Sequence, residues 1–414
     1  MKPTFSRRLS PLVTAILLAS SSSVFAAGYQ LKEQSAEGQG NSFAGQTAKA
    51  YDASTVFFNP AGMSRLERDQ IQGNLTYIAP TADYLHGSFS GANTPFSETN
   101  QDGGVSAFVP ASYGVWKLNE KMHFGFAINA PFGLSTEYDR DWVGANANVK
   151  SEITTINLAP SLSYKVTPKF SVGASLQIEK AEGELTREVT TGLNTSTPSI
   201  LQADDIGFGY TLGALYQYSD KGRIGFNYRS QVKHDLEGTV NIVGVAKFDA
   251  STDLTLPAVA SVGIFHEVGE RWELLADISW TGWSSFDKLV IEENSPQSVA
   301  DIEFFWSDTI FTSIGANYKY SDDLKLKFGI AYDQSAANDK YRTAGIPDAD
   351  RIWASVGASY DLSKDATVHF GYSHIFGKGA KVSDSRTSAA LPVSYSGNFD
   401  SSVDILSLGI DYKF

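Results

Sequence analysis

The 414-residue chain contains no cysteine, and charged residues make up only 19% of it. It also lacks any apolar run of about 18 residues, the length a helix needs to cross a bilayer, so transmembrane helices are excluded. Without cysteine there is no disulfide framework, thiolate zinc site, iron–sulfur cluster or cysteine nucleophile. The same absence suits export through an oxidising compartment, where a stray thiol is a liability. Basic residues are outnumbered 33 to 46, for a formal charge of −13, which leaves no basic face for nucleic acid. What is plentiful is glycine (36), phenylalanine (25) and tyrosine (19). Strand and turn formers therefore dominate over helix formers. Length alone allows either several soluble domains or one large β architecture.

Residues 1–26 read as a secretory leader. Lys2, Arg7 and Arg8 form a basic start, Leu9 to Ala19 a short apolar core, and Val24 and Ala26 mark cleavage before Ala27. The position after Ala26 is not cysteine, so no lipoprotein acylation is expected. Export in a bacterium is the working reading.

Beyond the leader, the recurring pattern is alternation. Leu406, Leu408, Ile410, Tyr412 and Phe414 alternate with Ser407, Gly409, Asp411 and Lys413. Leu324 to Asp333, Ile352 to Tyr360 and Phe208 to Tyr218 do the same, with period two. A soluble sandwich shares this pattern, but three features separate a membrane barrel from it. The polar face is mostly Gly, Ser, Thr and Asn, which suits a lumen. The seven tryptophans (Trp116, Trp142, Trp272, Trp280, Trp283, Trp306, Trp353) lie near segment ends, where interfacial girdles are expected. Short connections, as at Asn119-Glu120 and Gly269-Glu270, alternate with long ones around 84–105, 186–203, 239–252, 290–304, 334–349 and 382–399. About fourteen strands result, an even number as a closed antiparallel sheet requires. The expected fold is all-β: a transmembrane antiparallel β-barrel (69–414) with an N-terminal hatch (27–68). The hatch segment does not alternate, and a lumen of this size is too wide for side chains alone to fill.

Several blocks resemble the long-chain fatty-acid and hydrocarbon outer-membrane transporter family (FadL/TodX/OmpP1-like). They are Ala27-Gly-Tyr-Gln-Leu-Lys-Glu-Gln-Ser35, Phe57-Phe-Asn-Pro-Ala-Gly-Met63, Pro131-Phe-Gly-Leu-Ser-Thr-Glu-Tyr138, Tyr228-Arg-Ser-Gln-Val-Lys233, Ser279-Trp-Thr-Gly-Trp-Ser284 and Ile346-Pro-Asp-Ala-Asp-Arg351. The likeness spans the mature chain. It implies uptake of hydrophobic small molecules, long-chain fatty acids first and monoaromatic hydrocarbons as the alternative. The implied route is hatch rearrangement followed by lateral exit through a kinked third strand. The surroundings implied are outer-membrane lipid, lipopolysaccharide and the barrel-assembly machinery, which reads an aromatic C-terminus such as Phe414. A monomer is expected, with no cofactor, metal or nucleic acid.

For the kink, the third strand carries Asn129, Ala130, Pro131, Phe132 and Gly133. Proline inside a doubly paired strand removes a ladder donor and belongs at bulges or edges; the plainer reading is a strand end. In the hatch, Asn59-Pro60-Ala61 fixes one φ and leaves an amide to bond the wall, and its plainer reading is a turn. The resemblance also implies that Tyr29 meets the ligand. It places basic side chains in the lumen for a carboxylate, but the matching positions read as Glu182 and Ser307. Lys180, Arg187, Arg229 and Lys319 are the available substitutes.

No enzyme is expected. The six histidines form no His-Glu-x-x-His, and no Gly-x-Ser-x-Gly elbow occurs. The remaining alternatives are a general diffusion porin, or an adhesin or phage receptor using the long loops.

Overall fold

The computed structural model describes residues 28–90, 100–192, 195–293, 301–387 and 392–414. The leader assigned to residues 1–26 lies outside them, as does Ala27.

Fourteen antiparallel staves close into a barrel. They are β1 (Gln70–Ser90), β2 (Ala107–Lys117), β3 (Met122–Asn129, resuming as Gly133–Glu137), β4 (Lys150–Thr167) and β5 (Phe170–Gly192). Next come β6 (Thr195–Ser219), β7 (Gly222–Arg229 and Val232–Ile242), β8 (Ala246–Leu256 and Val259–Val268) and β9 (Trp272–Thr281). The last five are β10 (Thr309–Lys319), β11 (Leu324–Asp333), β12 (Arg351–Asp361), β13 (Ala366–Gly377 and Ala380–Thr387) and β14 (Pro392–Lys413). Each pairs with its neighbour, and β1 closes on β14 from Gln70↔Lys413 upward. Closure removes the free edges of an open sheet, the condition for β structure in hydrocarbon, apart from one stretch of β2 beside β3.

The period-two pattern sorts the two faces. Leu, Ile, Val, Phe and Tyr point outward, with Phe208 at 65% and Leu408 at 57% exposure. A contiguous apolar exterior of this size is an aggregation hazard in water and the stable surface in lipid. Inward-facing Ser, Thr and Asn, such as Ser355, Ser373, Thr211 and Asn317, are buried.

Two expectations need correction. Much of the chain read as long loops at 186–203, 239–252 and 382–399 is strand that continues past the bilayer as tall hairpins. A hydrocarbon core needs only about 9–11 residues per strand, so most of β5 and β6 stands outside it. Four of the seven tryptophans are not girdle residues either. Trp142, Trp283, Trp306 and Trp353 are buried in the interior, while Trp272 and Trp280 face outward.

Residues 28–69 fill the lumen. The segment has three one-turn helices, α1 (Ala36–Gln39), α2 (Gln46–Lys49) and α3 (Thr55–Phe58), then a 3₁₀ turn over Pro60–Arg65. Helices of four residues do not persist alone, so the wall holds them. Ser35 caps α1 by accepting from the Gly38 amide, and Asn59 caps the 3₁₀ turn by accepting from Ala61. Buried charges tie the segment down: Glu37 meets Lys49 within the hatch and Lys327 on β11, both at 2.7 Å. Asp277 on β9 accepts from the backbone amide and hydroxyl of Thr47, both at 3.0 Å.

Close approach is possible because the wall is bare where the hatch backbone lies. A methyl group at Gly225 would overlap the Thr47 carbonyl, and one at Gly329 would overlap the Asn41 backbone. Overpacking of this kind costs roughly 1–3 kcal/mol. Gly225→Ala is therefore expected to loosen the hatch while sparing barrel closure. Limited proteolysis should then cut within residues 28–69 of the variant, and heat-modifiable migration on gels should match the parent.

Candidate functional site

The geometry centres on a break in the wall. β2 and β3 pair from Lys117↔His123 to Ser112↔Ile128 and then part. Ala107 to Ala111 keep their β1 partners but have none on β3. Pro110 lies on that free stretch, where a missing N–H costs no ladder bond.

On its other edge, β3 pairs with β4 at Asn129↔Asn157 and again at Gly133↔Thr154. Three residues, Ala130, Pro131 and Phe132, thus face two on β4, which is a bulge of one residue. Thr155 serves it with one hydroxyl, accepting from the Phe132 amide at 3.0 Å and donating to the Phe132 carbonyl at 2.6 Å. Asn129 marks the last regular pair, and its Oδ1 accepts from the Asn157 amide at 3.0 Å.

The hatch takes up the rest. Gln34 Nε2 donates to the Ala130 carbonyl at 2.6 Å. The Leu31 amide donates to the Pro131 carbonyl at 2.9 Å, and the Gly133 amide donates to the Tyr29 carbonyl at 2.8 Å. Gln30 and Phe132 make an antiparallel bridge. The start of the hatch therefore acts as a short extra strand on the broken part of β3.

Tyr29 is fully buried in an aromatic cluster. Its ring centroid lies 4.7 Å from Trp283, 5.5 Å from Phe286, 5.8 Å from Trp306 and 6.1 Å from Phe132. Gly28 has φ +61, and any side chain there would strike Trp283.

Two cavities flank this cluster. The outer one has a volume of about 130 Å³ and is lined by aliphatic groups including Leu201, Leu236, Val240, Leu254 and Ile291, with Arg187 among its polar residues. The inner one, of about 70 Å³, lies among Leu31, Phe43, Phe57, Pro131 and Phe132. Phe286 lines the outer cavity and Phe132 the inner, and Tyr29 touches both. Two cations border the inner cavity: the Arg229 guanidinium lies 4.2 Å from the Phe57 ring centroid and the Lys32 ammonium 4.3 Å from that of Phe311.

The residues singled out in the sequence divide by place. Tyr29 and Asn129 to Gly133 come together. Asn59, Pro60 and Ala61 lie elsewhere, against β5 and β6 near the short turns. There Asn59 Nδ2 donates to the Thr47 carbonyl at 2.7 Å and the Ala214 carbonyl at 3.0 Å, and the Ala61 carbonyl accepts from Ser171.

The reading of Glu182 and Ser307 as lumen positions fails. Glu182 shares the outward parity of Leu176 and Ile178 and pairs with Lys180 at 2.6 Å on the exterior, and Ser307 is exposed before β10 begins. Lys319 keeps the inward parity of Asn317 but stands exposed at the short-turn rim, where it bonds Asp322. Of the four proposed substitutes, Arg187 lines the outer cavity and Arg229 the inner one, while Lys319 borders a polar opening at the short-turn end. Sequence reasoning missed Gln34, Thr155 and Phe286; the period-two phase of β12 would have turned Trp353 inward.

Glu33 adds a pH-sensitive element. Its carboxyl is buried, and loss of water pushes its pKa from 4.5 up to about 7, with Arg351 and Lys32 opposing the rise and Asp333 adding to it. The folded state thus holds the proton longer than the unfolded state. Stability is unaffected below about 4.5, falls as pH rises from about 4.5 to about 7, and is level above that. Glu33→Gln should flatten this slope. Thermal melts in detergent between pH 4.5 and 7.5 should show a smaller decline in Tm for the variant than for the parent.

The family model described as outer membrane protein transport protein (OMPP1/FadL/TodX) matches residues 17–414. The 47 kDa outer membrane protein of Pasteurella multocida (strain Pm70) is 30% identical over 398 residues, covering 89% of this chain and 91% of its own. The long-chain fatty acid transport protein of Escherichia coli O6:H1 is 29% identical over 383 residues, covering 83% and 85%. In fold, the chain is similar to the crystal structure of a Pseudomonas aeruginosa FadL homologue, with TM-score 0.86, 24% identity and coverage of 94% and 100%. It is also similar to the Pseudomonas putida toluene transporter TodX, with TM-score 0.69, 18% identity and coverage of 94% and 99%. The chain therefore belongs to the outer membrane protein transport family (OMPP1/FadL/TodX) and is an outer-membrane transporter of hydrophobic compounds, not an enzyme.

Proposed function

We propose that this transporter takes up long-chain fatty acids passively and releases them sideways through the wall beside the kink in β3. The observation that carries this reading is the gap opposite Ala107–Ala111, beside β3 residues that bond to hatch residues 29–34 instead of to β2. A substrate enters the outer cavity, whose aliphatic lining suits a methylene chain. Burial there is worth about 0.8 kcal/mol per CH₂, enough for a modest contact length to extract the molecule from water. It then passes Tyr29 into the inner cavity, where Arg229 and Lys32 offer positive charge to a carboxylate. Movement of residues 29–34 frees the kink and opens the way into lipid.

The choice of fatty acid rests on the long aliphatic cavity and on relatives named long-chain fatty acid transport proteins at 27–29% identity. The aromatic cluster around Tyr29 favours a second reading, uptake of monoaromatic hydrocarbons by the same route. The protein is further proposed to act as a monomer among lipid and lipopolysaccharide, after insertion by the barrel-assembly machinery. An adhesin or phage-receptor role of the tall hairpins is compatible with transport.

Binding of oleate and of toluene to purified protein separates the two substrates: saturable oleate binding supports the first, and saturable toluene binding alone replaces it with the second. A large steady current in planar bilayers would favour a diffusion porin instead. The route has its own test. Replacing Pro131, Phe132 and Gly133 by Val, Thr and Val should straighten β3 and cut oleate uptake by tenfold or more without loss of assembled barrel. Uptake at the parental rate would remove the lateral exit.

A further inference from the structure

A second site lies at the opposite end of the lumen, where the hatch meets β13 and β14. Asp52, between α2 and α3, faces His369 on β13 and Asp411 on β14. One ligand atom from each lies within 4.8 Å of the others, and all three residues are buried at 5% exposure or less.

Two of their oxygens are unsatisfied. Asp52 Oδ1 accepts from the amide and hydroxyl of Ser54, but its Oδ2 has no partner. Asp411 Oδ2 meets His369 Nε2 at 2.8 Å, while its Oδ1 has none. A buried carboxylate oxygen without a partner is costly, and here two occur side by side.

Local charge does not remove that cost. The buried lysines of this region, Lys49 and Lys327, are both engaged by Glu37 at 2.7 Å. Two carboxylates then face a single imidazole, which carries at most one positive charge. Ser359 Oγ lies 2.7 Å from His369 Nδ1, the outer partner that fixes a ring so that Nε2 can bind a metal.

From these observations we propose that Asp52, His369 and Asp411 form a site for a divalent first-row metal ion, with zinc the best match, that clasps the hatch to the barrel wall. One imidazole with two carboxylates is a borderline-soft set that favours zinc or cobalt over magnesium or calcium, which take oxygen alone. An ion would reach it through the polar vestibule of about 440 Å³ at the short-turn end, whose lining includes all three residues. The ion would bridge a hatch carboxylate to two adjacent staves, so the hatch would be harder to dislodge when it is bound. This site is independent of the substrate route and of which hydrophobic compound is carried.

The test uses the whole protein in detergent after chelator treatment. Zn²⁺ titration by calorimetry, with Co²⁺ visible absorbance as a second probe, should give one site per chain. Asp52→Asn and His369→Gln should each weaken it tenfold or more, whereas His374→Gln, on the exposed His374–Asp404 pair, should not. Zn²⁺ should also slow proteolysis of the hatch in the parent and not in Asp52→Asn. Heat-modifiable migration checks that each barrel is assembled, and His369→Gln reports from the wall should Asp52→Asn unseat the hatch. Absence of stoichiometric binding in the parent overturns the proposal, as does binding that both variants retain at parental affinity.

Discussion

A buried backbone polar group must find a partner, and this molecule is organised around one place where the barrel does not provide it. β3 leaves β2 after Ile128, and the residues from Ala130 to Gly133 are buried. Thr155 supplies one hydroxyl, while Tyr29, Leu31 and Gln34 supply the remainder. Hatch and wall are thus mutually dependent: neither is fully hydrogen-bonded without the other. The coupling is local, because it is made of hydrogen bonds whose net worth is about 1 kcal/mol each. That strength holds a resting state and still permits exchange.

The rest of the interior has a different character. Near the short turns, ion pairs, the Asp277–Thr47 contacts and the Asn59 amide fix the hatch at several points. Near the kink, aromatic packing and a few backbone bonds do so. Buried charge reaches from the short turns up to Lys32, Asp277 and Arg229 at the inner cavity, while the outer cavity beyond is mainly aliphatic. This polarity gives a greasy molecule somewhere to sit in the outer half and a poor path straight through.

Much of this was legible in the sequence, though unevenly. Period-two alternation specified the strands and their outward face, and the small polar residues of the other face with an even strand count pointed to a barrel, because lipid and lumen demand opposite side chains from successive residues. The same parity contained information that composition hid. Trp353 sits between outward Ile352 and Ala354 and therefore turns inward, and Glu182 shares the outward phase of Lys180. Reading tryptophans as a girdle from their position alone ignored that phase. The tall hairpins look like loops in the sequence because, outside the bilayer, neither face of a strand must be apolar. Gln34 and Thr155 had no local signal at all: the Gln34 amide reaches a carbonyl 96 positions away. The Asn59 motif and Tyr29 share one short segment, yet they act at different places.

The bare stretches of wall beneath the hatch carry a wider consequence. Where Gly225 and Gly329 lie under Thr47 and Asn41, the lining is a mould cast to one insert, with hydrogen atoms marking the seam. A chimera carrying a cousin's insert in this cylinder would inherit mismatched relief on both surfaces. The two halves must drift together over generations, each substitution on one side narrowing what the other tolerates.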